Sequence, residues 1–290
     1  LYGMPILLKD NIDALPMATT AGAAAMAQNY PKKSAFIVEQ LRSKGALILG
    51  KVNMSEWAYY FCKGCPVGYS AMGGQTLNPY GRRVFETGGS SSGSGAAVAA
   101  NYAVAAIGSE TSGSILSPSG KNSIVGLKPT IGTLSRSGIV PISSSMDTAG
   151  PMTKNVIDNA ILMSALVAED PLDTYSFKSL PIRFDHLDTV SFKGFRLGLN
   201  RNFEDDSLMK IAVAKMKSEG AEIIPFTPLK INMDQFRRLL DVDMRSDLPK
   251  YFTTFANSKL GLDSVKDVVN FNAKDSLLHA PYGQAIFQRI

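Results

Sequence analysis

Two glycine- and serine-rich segments enclose a short apolar stretch near the middle of the chain. The first, GGSSSGSG (88–95), runs directly into an alanine-rich stretch, 96–104, that favours a helix. The second, GSETSGS (108–114), follows a short strand-like segment. Gly/Ser tracts are most often flexible linkers, but a linker rarely continues into a buried helix. In a protein of alternating strands and helices, two such loops can meet at one end of a sheet, where these folds build their sites.

The glycines suit loops that direct several backbone N–H groups at one anion. A phosphate-binding loop of the Walker type needs G-x-x-x-x-G-K-[ST]. The nearest segment, 120–123, lacks the first glycine and the helix that should follow. No G-x-G-x-x-G follows a predicted strand either. The remaining hypothesis is an oxyanion hole, which requires a nucleophile and a base nearby.

Serine is abundant in these loops, whereas histidine, the usual base, is not. The two histidines, His186 and His279, both lie in the C-terminal half, and no G-x-S-x-G elbow surrounds Ser114. A Ser–His–Asp triad is therefore disfavoured. Lysine can act as a base when burial lowers its pKa, and Lys9, which follows the apolar run 1–8, is the best candidate. The sequence alone equally allows a strand-end lysine that points into solvent.

Apolar periodicity predicts alternating strands and helices along most of the chain. The predicted strands are 1–8, 46–49, 105–108, 124–128, 196–199 and 222–225. The predicted helices are 34–44, a short one begun by Asn53, 96–104, 153–167, 207–217, and a tail from Asp234 broken at Pro249 and Pro281. Strand–helix–strand connections of this length usually join parallel strands, so we expect an α/β fold with a covered, mainly parallel sheet. No repeat or linker divides the chain, which predicts a single domain, 1–290.

The composition disfavours several other classes of protein. The net charge is +5, but the basic residues are scattered in short pairs, so no nucleic-acid interface is expected. The longest run of small and apolar residues, 95–108, is too short to cross a bilayer, so no membrane partner is expected either. Cys62 and Cys65 form one Cys-x-x-Cys that lacks the further ligands of a zinc site. Two incidental thiols on a loop are favoured, and a loop disulfide stays open.

Six segments in a fixed order resemble the amidase signature family. They are GMPILLKDN (3–11), GGSSSGSGAAVAAN (88–101), GSETSGSI (108–115), GLKPT (126–130), SRSGIVPIS (135–143) and MDTAGPMTKNVIDNA (146–160). The resemblance is dense over residues 1–170 and looser beyond them. It implies the amidase signature fold, in which helices cover both faces of a large, mixed, mainly parallel β-sheet. It also implies hydrolysis of linear amides without a metal or an organic cofactor.

The resemblance implies a role for each matching residue. Lys9 matches the general base, Ser90 the proton relay on a cis peptide bond, and Ser114 the nucleophile of a Ser–cis-Ser–Lys triad. Ser91 is expected to add a hydrogen bond near the relay. The oxyanion hole is expected from four backbone N–H groups, those of Thr111, Ser112, Gly113 and Ser114.

The chain departs from the family pattern at two positions near the nucleophile. Ser112 stands where many members have glycine, and Leu116 stands where many have arginine. The arginine region helps the amidase-like subunits of amidotransferases to hold an acidic amide, so its loss disfavours glutamine as substrate. The motif style resembles peptide amidases, which implies a carboxylic or peptide C-terminal amide as substrate and an acid and ammonia as products.

Two alternatives remain beside this hypothesis. One is the amidase-like A subunit of a transamidation complex. The other is a truncated, catalytically silent fragment, because the first motif begins at Gly3 and family members usually have helices before it and structure beyond Ile290. A cytoplasmic location is the default expectation, and a homodimer stays open.

Overall fold

The computed structural model describes residues 1–179 and 191–290 of the chain. The strands are β1 (Pro5–Lys9), β2 (Leu47–Val52), β3 (Tyr69–Ser70), β4 (Gly74–Gln75), β5 (Ala105–Glu110), β6 (Val125–Gly126), β7 (Thr148–Thr153), β8 (Arg196–Asn200) and β9 (Glu222–Phe226). The helices are α1 (Phe36–Ser43), α2 (Ser92–Ala99), α3 (Leu116–Lys121), α4 (Val156–Leu166), α5 (Ser207–Ser218), α6 (Met233–Thr254), α7 (Val265–Ala273), α8 (Ser276–His279) and α9 (Ala285–Arg289). None of these helices is both long and apolar enough to cross a membrane.

A five-stranded sheet in the order β2-β1-β5-β7-β6 is the framework of the site. β1 pairs in parallel with β2 on one side and with β5 on the other, where Leu8 lies opposite Ile107. β7 is antiparallel to both β5 and β6, so four of the five strands run in one direction. The carboxyl ends of β1 and β5 therefore lie side by side, which brings the residues that follow both strands to one edge. The predicted mixed, mainly parallel sheet is confirmed.

Helices cover both faces of this sheet, as predicted. Alternate residues of a strand point to opposite faces, and in β1 the side chains of Ile6 and Leu8 pack in one cluster with buried residues of α1 and α4. Leu7 packs on the other face with Val98 of α2 and with Ala106. The sheet is apolar on both faces because both are covered, and this is why β1 reads as a continuous apolar run.

A third core lies around Trp57 and the C-terminal helices. Trp57 is 2% exposed, and its ring lies 5.1 Å from that of Phe287. Four buried residues of α6 belong to the same cluster: Met244, Leu248, Tyr251 and Phe252. This core holds the segment that follows β2 against the end of the chain. The same segment lies beside the loops described below, because the Ser55 N–H donates to the Ser90 carbonyl at 3.0 Å.

The described residues form two compact units, one of 1–179 and 238–290 and one of 191–237. The smaller unit contains β8, α5 and β9, and its two strands pair in parallel with Arg196 opposite Glu222. Asp206 caps α5 by accepting a hydrogen bond from the Met209 N–H. The predicted strand–helix–strand unit is confirmed, and the single domain over 1–290 stays a prediction.

Several predicted elements differ in the structure. The helix expected at 96–104 begins earlier, at Ser92, so half of the Gly/Ser tract is helical. The strand expected at 124–128 is two residues long. The helix expected after Asn53 is a single 3-10 turn, Glu56–Tyr59, in which Trp57 and Ala58 have positive φ. Strand β7 was not predicted, because its sequence TAGPMT contains a glycine and a proline and lacks a strand pattern.

Candidate active site

Lys9, the last residue of β1, is fully buried although it is a lysine. Its Nζ donates hydrogen bonds to Ser90 Oγ at 2.8 Å, to Ser109 Oγ at 2.9 Å and to the Ser109 carbonyl at 3.0 Å. Ser109 lies in β5, the strand that pairs with β1, and Ser90 precedes α2. The hypothesis of a solvent-exposed strand-end lysine is therefore wrong, since the Lys9 side chain is 0% exposed.

Burial changes the acid–base chemistry of Lys9. Desolvation lowers its pKa from 10.5 to about 7, and the nearby carboxylates of Asp147 and Glu110 oppose the shift. The charged form is disfavoured because a buried ammonium loses its hydration. Near neutral pH, a substantial fraction of Lys9 is thus an uncharged amine with a lone pair, as a general base requires.

Ser90 and Ser91 form the bend that leads into α2. The peptide bond between Gly89 and Ser90 is cis, and both serines are at most 1% exposed. Ser91 Oγ donates to the Ser109 carbonyl at 3.1 Å and accepts from the Ser109 N–H at 3.2 Å. The Ser91 N–H donates to the Ser114 carbonyl at 3.1 Å. Ser91 thus ties the bend to β5 and to the segment that carries Ser114.

Ser114 lies in the tight loop between β5 and α3 and is 7% exposed. The carboxylate of Glu110 organises this loop from inside. Its Oε1 accepts from the Gly113 N–H at 2.7 Å, and its Oε2 accepts from the N–H groups of Ile115 at 2.7 Å and Leu116 at 3.0 Å. Gly113 has a φ of +81°, which glycine adopts without strain. One buried carboxylate therefore fixes the backbone on both sides of Ser114.

The four backbone N–H groups predicted for the oxyanion hole are not equivalent. That of Gly113 is engaged by Glu110. Those of Thr111, Ser112 and Ser114 donate no hydrogen bond to any other described residue. The hydroxyl groups of Ser90 and Ser114 are not hydrogen-bonded to each other within the described chain, whereas the Lys9 amine and the Ser90 hydroxyl are linked directly.

Asp147 is a second carboxylate that contacts the loop, through Thr111. Its carboxylate accepts from Thr111 Oγ1 at 2.5 Å, from the Ile142 N–H at 2.7 Å and from the Ser143 N–H at 2.9 Å. Burial raises the pKa of Asp147 to about 6, against the opposing effect of these bonds. Asp147 therefore connects the segment before β7 to the loop that carries Ser114, and it is charged near neutral pH.

Sequence reasoning missed four polar residues of this network, Asn11, Ser109, Glu110 and Asp147. All four lie within the segments that carry the family resemblance, but nothing in their residue types separates them from ordinary surface residues. Asn11 Nδ2 donates to Ser109 Oγ at 2.9 Å, so Ser109 is held from one side while it binds Lys9 from the other. The pairing of β1 with β5, which the sequence does not specify, brings Ser109 close to Lys9 and Asn11.

The other candidate groups lie elsewhere. His279 stacks on Phe271 with ring centroids 4.7 Å apart, and His186 lies outside the described residues. Cys62 and Cys65 are joined in a disulfide, the alternative that the sequence left open. The described residues contain no group of three or more His, Cys, Asp or Glu side chains placed to hold a metal ion. A buried amine, two buried hydroxyl groups and loop N–H groups without an acceptor among the described residues are the kinds of groups that nucleophilic acyl transfer uses.

The sequence model of the Amidase family matches residues 1–280. The chain belongs to the amidase family. A protein described as a probable amidase of Arabidopsis thaliana is 46% identical over 174 residues, which are 60% of this chain and 34% of that protein. The A subunit of the glutamyl-tRNA(Gln) amidotransferase of Lawsonia intracellularis is 38% identical over 232 residues, which are 77% of this chain and 47% of that protein.

Solved structures of family members have the same fold. The crystal structure of the native peptide amidase of Stenotrophomonas maltophilia superposes with a TM-score of 0.90 and 39% identity over 99% of this chain and 61% of that one. The A subunit of the Thermotoga maritima glutamyl-tRNA(Gln) amidotransferase superposes with a TM-score of 0.70 and 27% identity over 97% of this chain and 61% of that one. The amidase signature fold is therefore confirmed. The chain spans less than half the length of these two curated relatives and about 60% of these two structures.

Proposed function

We propose that this amidase-family chain hydrolyses amides through a triad of Lys9, Ser90 and Ser114. The observation that carries the proposal is the hydrogen bond of 2.8 Å between the buried Lys9 Nζ and Ser90 Oγ. A lysine stripped of water and paired with a serine hydroxyl has no evident structural purpose, since burying an amine costs free energy. A proton relay gives this arrangement a purpose.

The proposed first step is an attack of Ser114 Oγ on the amide carbonyl carbon. The Ser114 proton passes to Ser90 Oγ while the Ser90 proton passes to the uncharged Lys9 amine. Relay between the two serines requires their hydroxyl groups to approach once substrate is bound, which is common for catalytic hydrogen bonds that are open in the free enzyme. Ser109 accepts the other two hydrogens of Lys9 and thereby turns its lone pair towards Ser90.

The negative charge that develops on the carbonyl oxygen needs donors. We assign this role to the N–H groups of Thr111, Ser112 and Ser114, while the Gly113 N–H stays with Glu110. Each donor lost from a comparable site costs about 3 kcal/mol of transition-state stabilisation. The proton then returns through Ser90 to the leaving nitrogen, the C–N bond breaks, and water hydrolyses the acyl-enzyme to release the acid and free Ser114.

The likeness to a peptide amidase supports a carboxylic or peptide C-terminal amide as the substrate, with ammonia as the leaving group. The identity of 38% to an amidotransferase component favours a second candidate, the A subunit of a transamidation complex. Leu116 stands against it, because this position lacks the arginine of many family members. A cytoplasmic location and a homodimer stay predictions.

Ammonia release by the purified chain tests the proposal. We expect release from peptide amides, loss of release in Ser114→Ala, and retention in Ser117→Ala, which removes a neighbouring exposed serine. Release from glutamine that appears only with a partner protein would favour the second candidate. A cooperatively folded chain that releases no ammonia from any amide would favour the silent fragment.

A further inference from the structure

A small cavity lies in the larger unit, beside the 3-10 turn Glu56–Tyr59 and apart from the proposed triad. The side chains that matter for its chemistry are one carboxyl group, three tyrosines and the wall formed by the disulfide: Glu56, Tyr59, Tyr69, Tyr282, Cys62 and Cys65. The space open to a water-sized molecule is about 10 Å³, which suits one group of that size. A long side chain or a ring does not fit this space.

Glu56 is an unusual residue to find at this position. It is 6% exposed, and its Oε2 accepts a hydrogen bond from the Ala71 N–H at 2.9 Å. Its other oxygen, Oε1, is buried and has no hydrogen-bond partner among the described residues. Such an unsatisfied oxygen in a native structure calls for a bound partner, because leaving it unpaired costs about 1–3 kcal/mol or more.

The described part of the chain supplies no cation for this carboxyl group. None of the ion pairs between described residues includes Glu56. Burial raises the pKa of Glu56 to about 8, and the hydrogen bond from Ala71 opposes this rise only in part. A bound cation would remove this destabilisation of the carboxylate.

Three tyrosines line the same cavity as the carboxyl group. The rings of Tyr69 and Tyr282 meet edge to face with centroids 4.9 Å apart, and Tyr59 donates its hydroxyl hydrogen to the Cys65 carbonyl at 2.9 Å. Tyr59 is 41% exposed and Tyr282 is 48% exposed, whereas Glu56 is 6% exposed. Tyrosine faces attract ammonium groups, and a carboxylate completes the recognition of such a group.

We propose that this cavity, lined by Glu56 and the three tyrosines, binds a compact ammonium group. The group is either free ammonium ion or the head of a primary amine, and it pairs with Glu56 Oε1. Binding does not depend on the proposed amidase activity. The backbone nevertheless connects the two sites, because Ser55, next to Glu56, donates its N–H to the Ser90 carbonyl.

The experiment is a calorimetric titration of the 290-residue chain with ammonium chloride and with methylammonium chloride. Sodium chloride and potassium chloride at the same ionic strength are the reference salts. We expect saturable binding of ammonium at one site. Glu56→Gln keeps the acceptor for the Ala71 N–H but removes the charge, so binding should weaken roughly tenfold or more. The matched control is Glu86→Gln, which neutralises an exposed glutamate and should bind as the unaltered chain does.

A second variant keeps the test valid if Glu56→Gln does not fold. Tyr282→Ala removes a half-exposed ring from the lining of the cavity and should weaken binding about threefold or more. Binding of ammonium without methylammonium indicates a site for the free ion, and binding of both indicates a site for an amine head; either supports the proposal. Equal affinity for potassium, or unchanged affinity in both variants, would overturn it. Ammonia-release assays run in parallel report separately on the triad.

Discussion

Replacement of Lys9 by methionine should stabilise the fold while it abolishes catalysis. A pKa lowered from 10.5 to about 7 means that the native state binds fewer protons than the unfolded state between these two values. Stability therefore rises with pH across this window and is lowest below pH 7, where Lys9 is charged in both states. A methionine of similar length removes this dependence.

The linkage relation gives the size of the effect. The two pKa values imply that protonation of Lys9 lowers the free energy of unfolding by roughly 5 kcal/mol at pH 6 and by roughly 2 kcal/mol at pH 9, as upper limits. The three hydrogen bonds that methionine cannot make offset part of the gain, by about 1 kcal/mol each. Because this offset does not vary with pH, the informative quantity is the change with pH of the stability difference between Lys9→Met and the unaltered chain.

The assay is urea unfolding of the unaltered chain and of Lys9→Met at pH 6, 7, 8 and 9, with Lys44→Met as the control for loss of an exposed lysine. We expect the stability difference between Lys9→Met and the unaltered chain to fall by about 2–3 kcal/mol from pH 6 to pH 9. A difference that stays constant over this range would refute the lowered pKa of Lys9, and with it the uncharged base.

Three further changes test the surroundings of the triad. Glu110→Gln places an N–H₂ group against a backbone N–H of the Ser114 loop, so the free energy of unfolding should fall by about 2 kcal/mol in urea titrations. Unchanged stability would contradict the role of Glu110 in organising this loop. Asp147→Asn keeps a side chain of the same shape but removes a negative charge that raises the pKa of Lys9. The acid limb of the kcat/KM pH profile, expected near pH 7, should therefore move to lower pH. If the acid limb does not move, Lys9 is not the group that titrates there. Arg136→Lys loses the paired contacts to Asp173 and should cost about 1–2 kcal/mol in thermal unfolding at matched pH, whereas no change would show that these contacts contribute little.

The sequence predicts the sheet better than it predicts the site. Strand β1 is a continuous apolar run covered on both faces, so the sequence predicts a strand there, at 1–8, although the structure begins it at Pro5 and ends it at Lys9. Strand β7 cannot be read in this way, because Gly150 and Pro151 interrupt it and only its pairing with β5 makes it a strand. Element boundaries depend on such tertiary pairing and are not encoded locally.

The functional groups show the same division. The resemblance proposes Lys9, Ser90 and Ser114 as the triad, but the burial of Lys9 and its bonds to Ser109 arise from the adjacency of two strands far apart in sequence. In the sequence, Glu110 is one residue of the predicted Gly/Ser loop 108–114, and only the fold turns three backbone N–H groups towards its carboxylate. A single sequence gives residue types and periods, whereas the electrostatic character of each group depends on what surrounds it.

Labelling with a fluorophosphonate tests the central claim most directly, since this reagent reacts with an activated serine whatever the natural amide is. Peptide mass mapping of the labelled chain locates the adduct, and circular dichroism of each variant verifies that it is folded. We predict an adduct on Ser114 that disappears in Lys9→Met and Ser90→Ala but persists in Ser117→Ala. An adduct on another serine, or full labelling of Ser114 in a folded Lys9→Met chain, would contradict the account.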